Sequence, residues 1–421
     1  MVHPSTGGPP GAPYFGEETQ VKKFLLMTTM LVTIAGPALA QSGDGAVKIG
    51  ILNDQSSSFS ALGGPEVIDA VKLAIEDFGG QVLGKPIELV SADHQNKPDV
   101  GLSIAREWLE SDNVDVIMDM ANSAISLGVN TLLGEKKKLG LFISPITDRP
   151  VEADCNGYVV AWAYDAYSVA RSSAQAQLEA GKDTWFVLSP DYEAGKALED
   201  TVKGTIEEAG GQIVGAIRAP LGTTDFSSYI LQAQASGAKV IMLTLNGPEL
   251  VNALKQIQEF GIVEQGQSVG VTILHQSDVR AIGLDTLKGI QVATPWFWNL
   301  DDESRRFAEE MKKRTGKAPG WVAAGNYSAA TNYLKAVEAA GTDDADAVRA
   351  KLGEIEINDF FARHATLRNN GRLVHDMYLV EVNAPDSAAA QANPEDAFKL
   401  VATVPGDKAF RPAEASACPI K

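Results

Sequence analysis

An α/β protein of two doubly wound parallel-sheet units is what the sequence predicts, on three observations. Short apolar strands alternate with amphipathic helices across compact connections, the signature of a parallel sheet. The alternation runs to about residue 144 and restarts near 158, with no sequence repeat between the two units. The chain of 421 residues is also longer than a single core of ordinary size.

The order of elements follows from the apolar pattern. Residues 48–52 (KIGIL) read as a short buried strand, then a polar turn from Asn53 through three serines, then a helix opening near Pro65. In a parallel sheet such a loop borders the ligand crevice, and the next helix aims its first amides there. The 48–64 stretch is therefore expected to form one wall of a cleft for a small solute. The helix shows the stripe Val67, Ala70, Val71, Ala74, Ile75 and Phe78, and Gly79-Gly80 stops it. A strand at 87–91, a helix at about 99–110 and a strand at 114–118 follow. A helix after Asn122-Ser123-Ala124 and a strand at 141–144 complete the first unit.

The second unit opens with an extended segment at 158–162 and a helix at about 167–180. A strand at 184–189 ends in Pro190-Asp191-Tyr192, and a long helix covers about 194–209. A strand at 212–217, a helix capped by Thr224-Asp225-Phe226 and a strand at 240–245 ending in Asn246-Gly247-Pro248 come next. A helix at 249–260 and a strand at 269–274 complete it. From 290 the chain offers a strand, the cluster Trp296-Phe297-Trp298, and helices near 302–315, 321–340 and 344–353. A hairpin then pairs 364–368 with 373–382 around Asn369-Asn370-Gly371, and 383–394 reads as a surface excursion. With no long Pro/Ser linker, several crossings between the units are expected.

The amino end reads as an export signal. Lys22-Lys23 precedes an apolar run at 24–34, and Ala38-Leu39-Ala40 supplies small residues at the right spacing for cleavage between Ala40 and Gln41. The run is too short for a permanent membrane span. Residues 1–20 sit oddly ahead of such a signal, and a start nearer Val21 is expected. Removing 1–40 takes away two acidic and two basic residues, so the net charge stays at -18. That acidic excess argues against nucleic acid or anionic lipid as a partner. Two cysteines, Cys155 and Cys418, fit an oxidising compartment and a disulfide between the tail and mid-chain, the other reading being two free buried thiols.

Catalytic signatures are absent. No G-x-G-x-x-G follows the first strand, and there is no phosphate-binding G-x-x-x-x-G-K-[ST] or G-x-S-x-G elbow. His94, His275, His364 and His375 lack zinc-ligand spacing. Asp301-Asp302 and Asp343-Asp344 stand where helices open and read as structural. A binding protein without cofactor or metal, rather than an enzyme, is the expectation.

From about Val47 onward the chain resembles the branched-chain amino-acid-type solute-binding proteins of ABC transporters, the type I periplasmic binding fold. The matching pieces, in order, are Lys48-Ile49-Gly50, Phe142-Ile143-Ser144-Pro145, Asp191-Tyr192-Glu193-Ala194-Gly195 and Asp225-Phe226-Ser227. Asn246-Gly247-Pro248, Ala324–Tyr327 and the hairpin through Asn370-Gly371 to His375-Asp376-Met377 follow. The resemblance implies two lobes joined by three crossings, with 46–160 and about 291–370 in lobe 1 and 161–290 and about 371–421 in lobe 2. It implies ligand contacts at Ser57, Phe59, Ser123, Ala124, Ser144 and Thr147 on the first lobe. On the second it implies Trp162, Tyr164, Tyr192, Asn246, and the turn from Gln276 to Asp278.

Hydroxyls with loop and helix-end N–H groups can hold a carboxylate without a buried cation. The aromatics Phe59, Trp162, Tyr164 and Tyr192 favour a flat or apolar acid. An amino acid would also need an acid for its ammonium; Asp278 is the candidate, and capping the following helix is its other reading. The chain is thus expected to be a monomeric periplasmic protein that delivers a branched-chain or hydrophobic amino acid, or an aromatic acid, to an ABC permease of the inner membrane. A sensor of the same fold and a secreted hydrolase remain the alternatives.

Overall fold

The computed structural model describes residues 45–208 and 210–420. The expected leader, with its cleavage point between Ala40 and Gln41, lies outside the described residues.

The first sheet contains β1 (Val47–Asn53), β2 (Gln81–Val82), β3 (Lys85–Asp93), β4 (Val116–Asp119), β5 (Leu139–Phe142) and β6 (Val159–Ala161), in the order β2-β3-β1-β4-β5-β6. β1 lies inside it, parallel to β3 from Val47↔Ile87 and to β4 from Ile49↔Val116. Its residues from Ile49 to Asn53 are buried, as a strand covered on both faces requires. Helices α1 (Gly64–Asp77), α2 (Pro98–Glu110) and α3 (Ser123–Lys136) cover the faces. Val67, Ala70, Val71 and Ala74 form the buried stripe of α1. Gly50 lets the Trp108 indole close on β1, since a Cβ there would come within 2.7 Å of the ring.

The second sheet is built by α4 (Ala166–Glu179), β7 (Thr184–Pro190), α5 (Glu193–Glu208), β8 (Gln212–Ala219), α6 (Ser227–Ala235), β9 (Val240–Leu243), α7 (Gly247–Glu259), β10 (Ser268–Val271), α8 (Gln276–Ile282) and α9 (Leu284–Leu287). Its strands run parallel in the order β10-β9-β7-β8. The chain continues through β11 (Gln291–Thr294), α10 (Asp302–Thr315), α11 (Trp321–Ala340), α12 (Ala345–Glu354), β12 (Thr366–Leu367), β13 (Leu373–Val374), β14 (Met377–Val382), α13 (Ala388–Ala392), β15 (Phe398–Val404) and α14 (Gly406–Ala409). α10 and α11 pack on α1, returning this block to the first sheet. The aspartate pairs do cap helices: Asp301 accepts from Ser304 N at 2.8 Å and Asp344 from Ala347 N at 3.0 Å.

The expected single strand over 373–382 is two. β13 pairs with β12 in the hairpin, whereas β14 joins β11 and β15 in an antiparallel sheet. The break falls at His375-Asp376, where the buried imidazole has its nitrogens 2.8 Å from the carbonyls of Asp376 and Ala163. β15 is a strand the sequence reading did not assign, although its FKLVATV segment is apolar and β-branched; its residues from Lys399 to Thr403 are exposed. Gly371 turns the hairpin at φ +93°, and its Cα lies so close to Val159 that a Cβ would sit 2.0 Å from the Val159 carbonyl oxygen.

Before the tail, the segments 162–165, 295–301 and 375–376 carry the chain between the elements of the first sheet and those of the second and antiparallel sheets. Arg372 clamps the first, donating to the Ala161 and Tyr164 carbonyls at 3.2 and 3.0 Å and pairing with Asp165 at 3.1 Å. The tail then returns to the first sheet, where Cys418 is bonded to Cys155 with a Cα separation of 5.7 Å. Closing so long a loop contributes about 2–5 kcal/mol. Among the described residues no helix is long and apolar enough to cross a membrane.

Candidate ligand cavity between two sheets

Loops at the carboxyl ends of both parallel sheets enclose a cavity of about 270 Å³. The first sheet supplies Ser58, Phe59 and Leu62 after β1, Asn96 after β3, Ala121, Asn122 and Ser123 after β4, and Ser144 and Ile146 after β5. Tyr164 follows β6. The second supplies Tyr192 after β7, Leu221 and Gly222 after β8, Asn246, Pro248 and Glu249 at α7, and Ile273 and His275 after β10.

The loop after β1 is wound around one carboxylate. Asp54, 1% exposed, accepts from Ser57 N and Phe59 N at 2.8 Å each, from Ser56 N at 3.3 Å and from the Ser57 hydroxyl at 2.5 Å. Ser57 is thereby spent on its own loop, and Phe59 is turned to the cavity. At the end of β4 the chain takes two successive left-handed residues, Asp119 at φ +79° and Met120 at φ +65°, a conformation that costs energy for residues with a Cβ. The Asp119 carboxylate holds it: the Ser144 hydroxyl donates to it, and the Ser144 N–H and the Asn53 and Asn326 side chains lie beside it. Burial pushes its pKa up to about 6. Asn122 then caps α3, accepting from Ala124 N and Ile125 N at 2.8 and 3.2 Å. This leaves the Ser123 hydroxyl facing the cavity.

The Tyr164 hydroxyl donates to the Ser144 carbonyl at 2.7 Å, and its ring meets Trp321 edge-on, centroids 4.7 Å apart. Trp321 stacks in turn on His275 at 5.2 Å. Burial lowers the His275 pKa to about 4, so its ring is neutral at pH 7. On the same side Tyr192 meets the Asn246 amide. Glu249 accepts from Gly222 N at 2.6 Å, and desolvation raises its pKa.

Of the residues singled out from sequence, Phe59, Ser123, Ser144, Tyr164, Tyr192 and Asn246 line the cavity. The other six stand outside its wall. Ala124 is the first-turn residue whose N–H Asn122 takes, and Thr147 accepts from Arg149 N at 3.4 Å. Trp162 is fully buried in the core, its Nε1 donating to Ser328 at 3.1 Å. Gln276 donates to the Glu395 carbonyl at 2.9 Å. Asp278 accepts from His275 N at 2.9 Å and so caps α8. Asn96, Leu221, Glu249 and His275 were missed; their signal is only that each sits in a loop or helix start beyond a strand's carboxyl end.

Among the described residues no lysine or arginine lines the cavity. Its chemistry is hydroxyl and amide donors beside apolar and aromatic surface on one side, with an acid and a neutral imidazole on the other. Such a space holds a small ligand, with its polar ends bonded and its body packed.

This arrangement of strand-end loops from two doubly wound sheets defines a type I periplasmic binding protein. A family model described as "Periplasmic binding protein" matches residues 46–390, and the chain belongs to that family. A branched-chain amino acid ABC transporter periplasmic ligand-binding protein from Burkholderia xenovorans is 43% identical, covering 89% of this chain and 99% of that one, with a TM-score of 0.83. A protein named "Leu/Ile/Val-binding protein homolog 6" from Brucella melitensis is 25% identical over 342 residues, 79% of this chain and 86% of that protein. An R. palustris ABC transporter solute-binding protein solved with 4-hydroxybenzoate shares the fold at 21% identity, covering 87% of this chain and 98% of that one, with a TM-score of 0.78.

Proposed function

We infer that the protein is the periplasmic receptor of an ABC importer and that it closes two lobes around a small carboxylate-bearing ligand. One observation carries this reading: a single cavity takes its walls from strand-end loops of two separate sheets. The lobes follow the sheets. The first runs from 46 to about 161 and returns for the block from about 302 to 374, and the second holds the rest up to β15. The ligand's carboxylate sits on the first lobe, beside the Ser123 hydroxyl and the Ser144 side chain. Its body lies against Phe59, Tyr164 and Tyr192. Its far end meets Glu249 and His275, which favours a ligand that also carries a donor: the ammonium of a branched-chain amino acid or the hydroxyl of an aromatic acid. Contacts to both lobes exist only in the closed form, so the ligand shifts the population toward it, and the permease recognises that form.

A thermal-shift screen against L-leucine, benzoate, 4-hydroxybenzoate and their amides tests the reading. A ligand at a hundredfold excess over its Kd adds about 2.7 kcal/mol of stability, so one of the acids is expected to raise Tm and its amide is not. No shift with any acid, or equal shifts with acid and amide, overturns it.

A further inference from the structure

A serine hydroxyl has one proton to give, and in this cavity the Ser144 proton goes to its own wall. The Ser144 hydroxyl donates to Asp119, so the face it shows the cavity is a lone pair. A lone pair repels the carboxylate that the proposed function places beside it. Asp119 itself is 2% exposed and holds the strained turn that presents Ala121, Asn122 and Ser123. Resting on that ligand reading, we propose that Asp119 is a positioning residue that takes up a proton when a carboxylate ligand binds, reversing the Ser144–Asp119 hydrogen bond and freeing the Ser144 proton for the ligand.

The proton balance is simple. Protonated Asp119 donates to Ser144 Oγ, the Ser144 hydroxyl turns its hydrogen toward the ligand, and one proton enters from solvent for each carboxylate bound above the pKa of Asp119. The surroundings permit this. Facing Asp119 are the amides of Asn53 from β1 and Asn326 from α11, the Ser144 N–H, and the Tyr164 phenol, which burial keeps protonated. Among the described residues no basic side chain bonds to Asp119. The pocket therefore resists a second negative charge near the first, and protonation removes one of the two. With the pKa of Asp119 already raised to about 6 by burial, the uptake falls in a window that neutral buffers reach.

The affinity of benzoate and of L-leucine is measured by calorimetry from about pH 5.5 to 8, in buffers of differing ionisation enthalpy, on wild type and Asp119→Asn. Wild-type affinity is expected to fall towards tenfold per pH unit above the pKa, with close to one proton taken up per ligand. D119N, a fixed mimic of the protonated acid, is expected to show a flat profile and no uptake. A flat wild-type profile, no proton uptake, or a slope that survives in D119N, and so belongs to Glu249 or Asp278, overturns the proposal. If D119N fails to fold, proton uptake that persists in Glu249→Gln and in Asp278→Asn supports the proposal, and uptake lost in either overturns it. Failure of both probes to bind at every pH sinks the ligand reading instead. The carboxylic-acid C=O band of the empty wild type, followed by infrared titration, then decides whether Asp119 titrates near pH 6; a band already lost by about pH 5, as for an ordinary carboxyl, overturns this inference too.

Discussion

On the first sheet's side of the cavity the polar side chains are bonded to one another. Asp54 takes three N–H groups and a hydroxyl, Asn122 two N–H groups, and Asn96 bridges Asn122 and Ser58 at 2.5 and 3.0 Å. On the second side the wiring is sparse. Among the described residues Asn246 makes no side-chain cap to α7 and meets Tyr192, Leu221 is 57% exposed, and Glu249 accepts from Gly222 N. A wall that is satisfied before the ligand arrives loses little conformational freedom on binding. A wall with unspent donors and acceptors gains most from a ligand that matches them. On the proposed reading, the first wall anchors the ligand and the second discriminates.

Breaking each wall in turn sharpens that contrast. Asp54→Ala strips a buried acceptor from four donors and is expected to cost about 3 kcal/mol or more of stability, read as a lower urea midpoint at unchanged m. Asn246→Ala on the second wall is expected to cost under about 1 kcal/mol by the same measurement. Equal losses would mean that both walls are equally prewired.

A smaller effect comes from His275, whose folded pKa near 4 lies below its ordinary 6.5. Its stabilising contribution is full above about pH 6.5 and is lost as pH falls towards 4, because the unfolded chain takes the proton first. Asp119 and Asp278, both raised from 3.8 to about 6, act oppositely: their contribution is full below about 3.8 and is lost as pH rises through 6. The net wild-type curve mixes the two signs. The difference between wild type and His275→Asn isolates the imidazole. Between pH 7 and 5 the variant is expected to lose about 2 kcal/mol less than wild type. A variant that follows wild type would show that His275 is solvated.

Local signals made the fold legible. Periodicity and Gly/Asn punctuation locate the two doubly wound units, and of the contacts that the family resemblance implies, Phe59, Ser123, Ser144, Tyr164, Tyr192 and Asn246 line the cavity. What stayed hidden depends on distant partners. Trp162 turns to the core because Ser328, far along the chain, receives its Nε1–H. Asn96 reaches the cavity because β3 lies beside β1 and because Gln95 and Asn96 both take left-handed backbone, neither of which a loop sequence announces. Asp278 had two local readings, and the short bond back to His275 N selects the cap.

The smallest effect concerns Glu249. If the second wall reads the far end of the ligand, the half-buried carboxylate at the start of α7 should respond to a donor there and to nothing else. Glu249→Gln keeps the size of the side chain and an acceptor for Gly222 N, and removes the charge. It is expected to weaken 4-hydroxybenzoate by about fivefold, near 1 kcal/mol, while leaving benzoate, which brings no donor, within twofold. L-leucine should lose more than its deaminated analogue for the same reason. Equal weakening across each pair would place Glu249 in the scaffolding of the Gly222 loop, and discrimination would then rest with Tyr192, Asn246 and His275.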